Sequence, residues 1–243
     1  MAQMGRREGA EKLVNQIACI KYTLFCFNVV SWLFGFGLFL LTVYMRAEPG
    51  FEEWVRMLNI WIYYLGVYFL IFAGVIIMIS AFLGCCVALT EHKLGLTVFI
   101  ASQVLCFLVS VVGSAILLDH STFNSSIEPV VHRQMMHLIM NSEYEPYSTT
   151  LKLVQENIGC CGADGPNDYM HLRQPLPLEC RDSVTGNAFF NGCVDELIWY
   201  LEDKSVWVAV LGMTLALLHV INAVLGIVFV QATKREEEFL YRR

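Results

Sequence analysis

Apolar residues gather in four long runs along the chain, at Ile20 to Tyr44, Ile60 to Cys86, Leu94 to Leu118 and Val206 to Gln231. Each is long enough to cross a hydrocarbon core, which takes about 20 residues as helix. Lipid offers no hydrogen-bond partner, so every run must satisfy its own backbone, and barrel strands would be about half as long and alternating. The pattern predicts four transmembrane helices. The first run exceeds the roughly 7 to 15 apolar residues of a signal peptide, and "VYMRAEPG" is a poor cleavage site, so this run is expected to be retained.

The runs divide the chain into tails at 1–19 and 232–243, spans at 20–44, 60–86, 94–118 and 206–231, and loops at 45–59, 87–93 and 119–205. The fold class expected is an all-α membrane protein whose large loop is mostly helical and held by disulfides. In the first half of that loop, Val131, Met135, Leu138 and Ile139 fall at helical spacing, Pro146 interrupts, and a second helix is expected over Tyr147 to Asn157. The stretch from Gly162 to Cys193 is rich in Pro, Gly, Asn and Asp without a sustained period and reads as a loop-built module. Nothing between Asp195 and Val206 would end a helix, so "VDELIWYLEDKSVW" should run unbroken into the last span.

Composition supports the membrane reading, with 56% of the 243 residues hydrophobic and 16% charged. Charge sets the orientation. Arg6, Arg7, Lys12, Lys21, Lys93, Lys234, Arg235, Arg242 and Arg243 all lie on one side, against Arg46 and Arg56 in the short loop opposite, so both termini are expected in the cytoplasm. The net charge of −6 is concentrated in Asp119 to Ser205, where thirteen acidic side chains outnumber five basic ones. This excludes nucleic acid as a partner.

The nine cysteines sort by compartment. Cys160, Cys161, Cys180 and Cys193 fall in the loop expected outside, where thiols oxidise. Four cysteines allow three connectivities. A bridge between the neighbours Cys160 and Cys161 is strained, so each should reach Cys180 or Cys193, with Gly162 providing the positive φ of a sharp turn. Cys19, Cys85 and Cys86 lie at the expected inner membrane surface and are candidates for S-palmitoylation, whereas Cys26 and Cys106 lie deeper and read as packing residues. Asn124-Ser125-Ser126 is a glycosylation sequon, which makes Asn124 a candidate. His120, His132 and His137 lack the i, i+4 pairing of a helical zinc site and read as solvated helix positions. No Ser-His-Asp constellation, phosphate loop or nucleophile elbow is present, and the chain reads as a non-enzyme without catalytic, cofactor-binding or metal residues.

At "CCGADGPNDY" the sequence resembles the tetraspanin family, with its CCG signature and its Gly-Pro-x-Asp-Tyr turn. "PLEC" is similar to the family's Pro-x-x-Cys and "NGC" to its closing Gly-Cys. "KYTLFCFNVVSWLFG" in span one, and "GCC" at Gly84 to Cys86 with Glu91 shortly after, extend the likeness to nearly the whole chain. Glu179 stands where the family often has Ser, and Val87-Ala88 where it often has Gly-Ala. The resemblance implies that Cys160 pairs with Cys193 and Cys161 with Cys180. It also implies that the region from Ala163 to Gly192 reads partners, and that a cavity between the spans can hold a sterol or other lipid. "LTVYMR" at Leu41 to Arg46 satisfies a proposed cholesterol pattern.

Within the spans, small and polar residues recur at steps of three and four: Asn28, Ser31, Gly35 and Thr42; Gly66, Ala73, Ser80 and Gly84; Gln103, Cys106, Ser110 and Gly113; Gly212, Ala216, His219, Ala223 and Gly226. Small residues let membrane helices approach closely and polar ones bond across them. Asn28, Gln103 and His219 should therefore face one another, in a network that also takes in Asn222. The function expected is a membrane organiser at the plasma membrane, cell contact sites or endosomes. Its expected partners are integral membrane proteins of adhesion, junction or receptor type, other tetraspanins, and membrane lipids including cholesterol. The rival reading is a small channel or transporter using Gln103 and His219.

Overall fold

A computed structural model describes residues 2–47, 52, 56–58, 60–90, 92–182 and 184–241, without the side chains of 2–13, 239 and 240. Glu91, Arg242, Arg243, most of the short loop and the side chains of Arg6, Arg7 and Lys12 thus lie outside the described residues. The helices are α1 (Ala2–Arg46), α2 (Trp61–Thr90), α3 (Lys93–Asp119), α4 (Glu128–Met140), α5 (Tyr147–Ile158), α6 (Asn167–His171) and α7 (Cys193–Tyr241), with a 3-10 turn at Leu178–Cys180. Among the described residues there is no strand, and one antiparallel bridge joins Arg181 to Ala188. Four helices are long and apolar enough to span a membrane.

The helices overrun the apolar runs at both ends of the chain. Residues 2–19 and 232–241 continue α1 and α7, because Ala, Glu, Lys, Arg and Gln are good helix formers and no proline interrupts them. The module after Gly162 is more ordered than its composition suggests. Pro166, with φ −63° and ψ −18°, opens the single turn α6, which is too short for any hydrophobic period to reveal.

The chain forms two compact units. The first comprises Met1–Thr42, Phe69–Gly113 and Val210–Arg243. Here the usual polarity is inverted: Trp32, Phe36, Phe72, Phe82, Val98 and Leu217 are exposed, while Asn28, Ser31, Thr42, Ser80, Gln103, Ser110, His219 and Asn222 are buried. Such an apolar exterior suits a hydrocarbon solvent, which gives no reason to hide leucine and every reason to hide an amide. Close approach depends on glycine at three points, one of them Gly84, where a Cβ would collide with Asn28. A Cβ on Gly35 would stand 2.7 Å from Ile77 Cγ2, and one on Gly113 would stand 2.8 Å from Leu70 Cδ2.

The second unit comprises Val43–Tyr68 and Ser114–Ala209. Its core includes Val131, Met135, Leu138 and Ile139 of α4, Leu151 and Val154 of α5, and Val194, Leu197, Ile198 and Leu201 of α7. Each set repeats at three or four residues, so each helix buries one stripe and leaves its charged side to solvent. Arg46 at the end of α1 stacks 4.7 Å over Tyr64 and donates to Tyr68 Oη at 2.8 Å, while Lys204 of α7 lies over Tyr44 and Tyr200.

Candidate functional site

Helix α5 ends at Gly159, whose φ of 78° reverses the chain as only glycine does without cost, and its N–H donates to Gln155 O at 3.0 Å. The two cysteines that follow leave in different directions. Cys160 is bonded to Cys193, at the first turn of α7, and Cys161 to Cys180, at the 3-10 turn, each pair with Cα atoms 4.9 Å apart. The bridges tie one helix end to two points that lie 33 and 19 residues onward.

Backbone bonds reinforce the clasp. Cys161 N–H donates to Asn191 O at 3.0 Å, Cys193 N–H to Gly162 O at 3.1 Å and Val194 N–H to Ala163 O at 3.1 Å. Gly162 has φ +71°, and a Cβ there would collide with Gly165 O; a Cβ on Gly192 would collide with Ala163 O. Asp168 closes the turn from inside, its Oδ2 accepting from Ala163 N–H at 2.8 Å and Asp164 N–H at 2.9 Å. His132 of α4 is bonded through Nε2 to Asp164 Oδ2 at 3.0 Å, and so does more than sit in solvent.

Asp168 and Gly192 stand in the Gly-Pro-x-Asp-Tyr and closing Gly-Cys motifs of the sequence, which mark both as turn positions without disclosing which backbone groups each one meets. The bond between Gln155 and Tyr169, by contrast, was not legible in the sequence. Gln155, fully buried on α5, donates through Nε2 to Tyr169 Oη at 2.7 Å, and Tyr169 of α6 is itself buried. Loss of solvent around the phenol pushes its pKa from 10.0 up to about 12, since burial penalises the phenolate.

Inside the first unit, the polar residues divide into three groups and do not form one network. His219 Nδ1–H donates to Gln103 Oε1 at 2.7 Å, and Gln103 Nε2 donates to Ser80 Oγ at 3.0 Å. Ser102 donates to Phe99 O, so the Ser80 hydroxyl is left to donate to Ser102 Oγ at 2.7 Å. Asn222 Nδ2 bonds instead to Ser31 Oγ at 3.1 Å. The expectation that Asn28 faces Gln103 and His219 is corrected: Asn28 donates to Leu24 O of its own helix at 2.8 Å, and its amide packs against Gly84. A step of three or four places a residue on a stripe, but the packing of one helix against the next decides which neighbour it meets.

Among the modification candidates, Cys19 and Cys86 are exposed, Cys85 is half-buried, and Asn124 is exposed with its N–H donating to Glu128 Oε2 at 2.9 Å. Among the described residues, no group of three or more His, Cys, Asp or Glu could hold a metal ion.

Comparison with known proteins accords with this architecture. The tetraspanin family model matches residues 20–232. Tetraspanin-2A of Drosophila melanogaster is 54% identical over 237 residues, covering 97% of each chain. The human CD9 antigen is 25% identical over 91% of this chain and 96% of its own, and the mouse CD151 antigen is 21% identical over 90% and 94%. Four apolar helices, a doubly bridged loop and matches over nearly the whole length lead to one conclusion: the chain belongs to the tetraspanin family.

Proposed function

We propose that the chain organises other integral membrane proteins without catalysing a reaction, binding partner ectodomains through its clasped loop and associating laterally, with other tetraspanins among them, through its spans. The clasp carries this reading. Two bridges and the Asp168 turn hold a segment whose Met170, Leu178, Val184 and Phe190 are 69–90% exposed, more apolar surface than a free loop gains from presenting to water. Disulfides in that loop and the excess of Lys and Arg at the other ends of the spans support cytoplasmic termini at the plasma membrane, cell contact sites or endosomes. Cys161→Ser and Cys193→Ser should each reduce surface delivery and the recovery of partner membrane proteins in mild detergent. Wild-type behaviour of both variants would count against the reading.

The rival channel reading has less support. Gln103 engages both ends of its amide with His219 and Ser80, an arrangement suited to fixing helices against each other. A bound lipid, by contrast, has support in the first unit. Asn28 Oδ1, His219 Nε2 and Asn222 Oδ1 are buried acceptors without a donor, and the hydroxyl of a sterol or other lipid supplies one. Together with acyl chains on Cys19, Cys85 and Cys86 and a glycan on Asn124, this gives one measurement. Native mass spectrometry of the chain from its own membrane should show added mass for each, and a bare polypeptide would refute all three assignments.

A further inference from the structure

A groove of about 600 Å³ opens in the second unit where the α4–α5 turn and α5 meet the extended segment that leads into the 3-10 turn. Its size falls in the range of ligand-binding clefts. The apolar part of its wall comes from Leu151, Leu176 and Leu178, and its rim carries the carboxylates of Glu143, Glu145 and Glu179. Against these three anions stands Lys152, whose Nζ lies 3.2 Å from Glu179 Oε1. Two negative charges are left over. Glu145 is held as carboxylate by the hydroxyls of Thr149 and Ser148, which lower its pKa.

The second observation is independent of this charge. Gln155 lines the same groove, is fully buried, and has used its Nε2 on Tyr169, so its Oε1 is a buried acceptor with no donor. Gln174 Oε1, on another residue of the lining, is also buried without a donor. Buried acceptors in folded proteins are almost always filled. Two amide oxygens and surplus carboxylates around an apolar wall together describe what is missing: several donors, a positive charge and a hydrocarbon stem.

We propose that this groove takes an arginine side chain presented by a segment of a partner ectodomain. The guanidinium carries five N–H donors in a planar fork, so that one group can bond a rim carboxylate and still offer donors toward the amide oxygens behind the wall, and its methylenes would lie along the leucines. Lysine concentrates its charge at one point and cannot span separated acceptors in this way. The proposal rests on the reading of the loop as a partner-binding surface, and it moves part of that surface outside Ala163–Gly192, into Ser142–Gln155.

The test uses the full chain in detergent and two labelled, acetylated and amidated Gly/Ser peptides, one with a single central arginine and one with citrulline, the neutral isostere, in its place. Fluorescence anisotropy should show the arginine peptide binding on the order of tenfold more tightly. Glu143→Gln with Glu145→Gln, both exposed, should remove most of that preference, and Lys152→Gln, which frees Glu179, should increase it. Equal affinity for the two peptides, absence of saturable binding, or a preference untouched by the Glu variants would overturn the assignment. Recovery of partner membrane proteins separates the two readings. Equal recovery by wild type and the Glu143→Gln/Glu145→Gln variant would leave the organiser standing and remove the groove from it. Selective binding of the arginine peptide by a chain that recovers no partner would do the reverse.

Discussion

At the scale of single residues, the decisive groups in the loop are those that fill backbone donors or exclude side chains. Asp168 does the first and Gly162 and Gly192 the second, and none of them touches solvent chemistry. Tyr169 offers the clearest pH signature. Its pKa rises on folding from 10.0 to about 12, so the stabilisation it brings is complete below about pH 10 and is lost as pH climbs through about 12, on the order of 2 kcal/mol in all. Tyr169→Phe should cost about 1–3 kcal/mol at neutral pH, because Gln155 Nε2 is then buried without an acceptor, and should flatten the alkaline limb of the stability curve. Thermal melts of both proteins between pH 9 and 12 check this; parallel alkaline limbs would show that another group titrates there.

At the scale of elements, the spans separate what a sequence can disclose from what it cannot. The four runs were legible because the bilayer imposes a length, and the stripes of α4 were legible because Val131, Met135, Leu138 and Ile139 repeat with the helical period. The partners inside the first unit were not. Asn28 and Gln103 share one kind of spacing, yet Gln103 crosses to two helices while Asn28 turns back to Leu24, because rotation of one helix against the next is fixed by packing and not by period. The two amides should therefore respond differently to removal. Gln103→Leu, which breaks two interhelical bonds and strands His219 Nδ1, should cost about 1–2 kcal/mol, whereas Asn28→Leu, nearly isosteric, should stay within about 0.5 kcal/mol. Detergent melts of the two variants test the distinction, and equal shifts would dissolve it.

For the molecule as a whole, the disulfides do unequal work. Loss of the bridge between Cys161 and Cys180 releases a segment of 19 residues, and loss of that between Cys160 and Cys193 also unties α5 from α7. Chain-entropy reasoning assigns about 3–4 kcal/mol to each, so the distinction lies in what is exposed more than in how much is lost. Limited proteolysis should cut Cys161→Ser/Cys180→Ser only between residues 162 and 192, and Cys160→Ser/Cys193→Ser within α5 as well; identical fragments would contradict the division. The groove was hidden from the sequence for a related reason. Gln155 and Gln174 lie far apart along the chain, and the bridge to Cys180 helps to bring their segments together.

The Arg181–Ala188 bridge has an engineering consequence. Its turn closes on itself: Asp182 N–H donates to Asn187 O at 2.9 Å, Gly186 N–H to Asp182 O at 2.8 Å, and Asp182 Oδ1 accepts from Val184 N–H. Both roots of the turn are anchored, Cys180 by its bridge and Asn191 by the N–H of Cys161. Lengthening a surface loop costs only about 0.6 kcal/mol per doubling. A foreign epitope spliced in at Val184 would therefore be displayed on a frame that scarcely registers its length, making this turn a permissive port for tags and reporters.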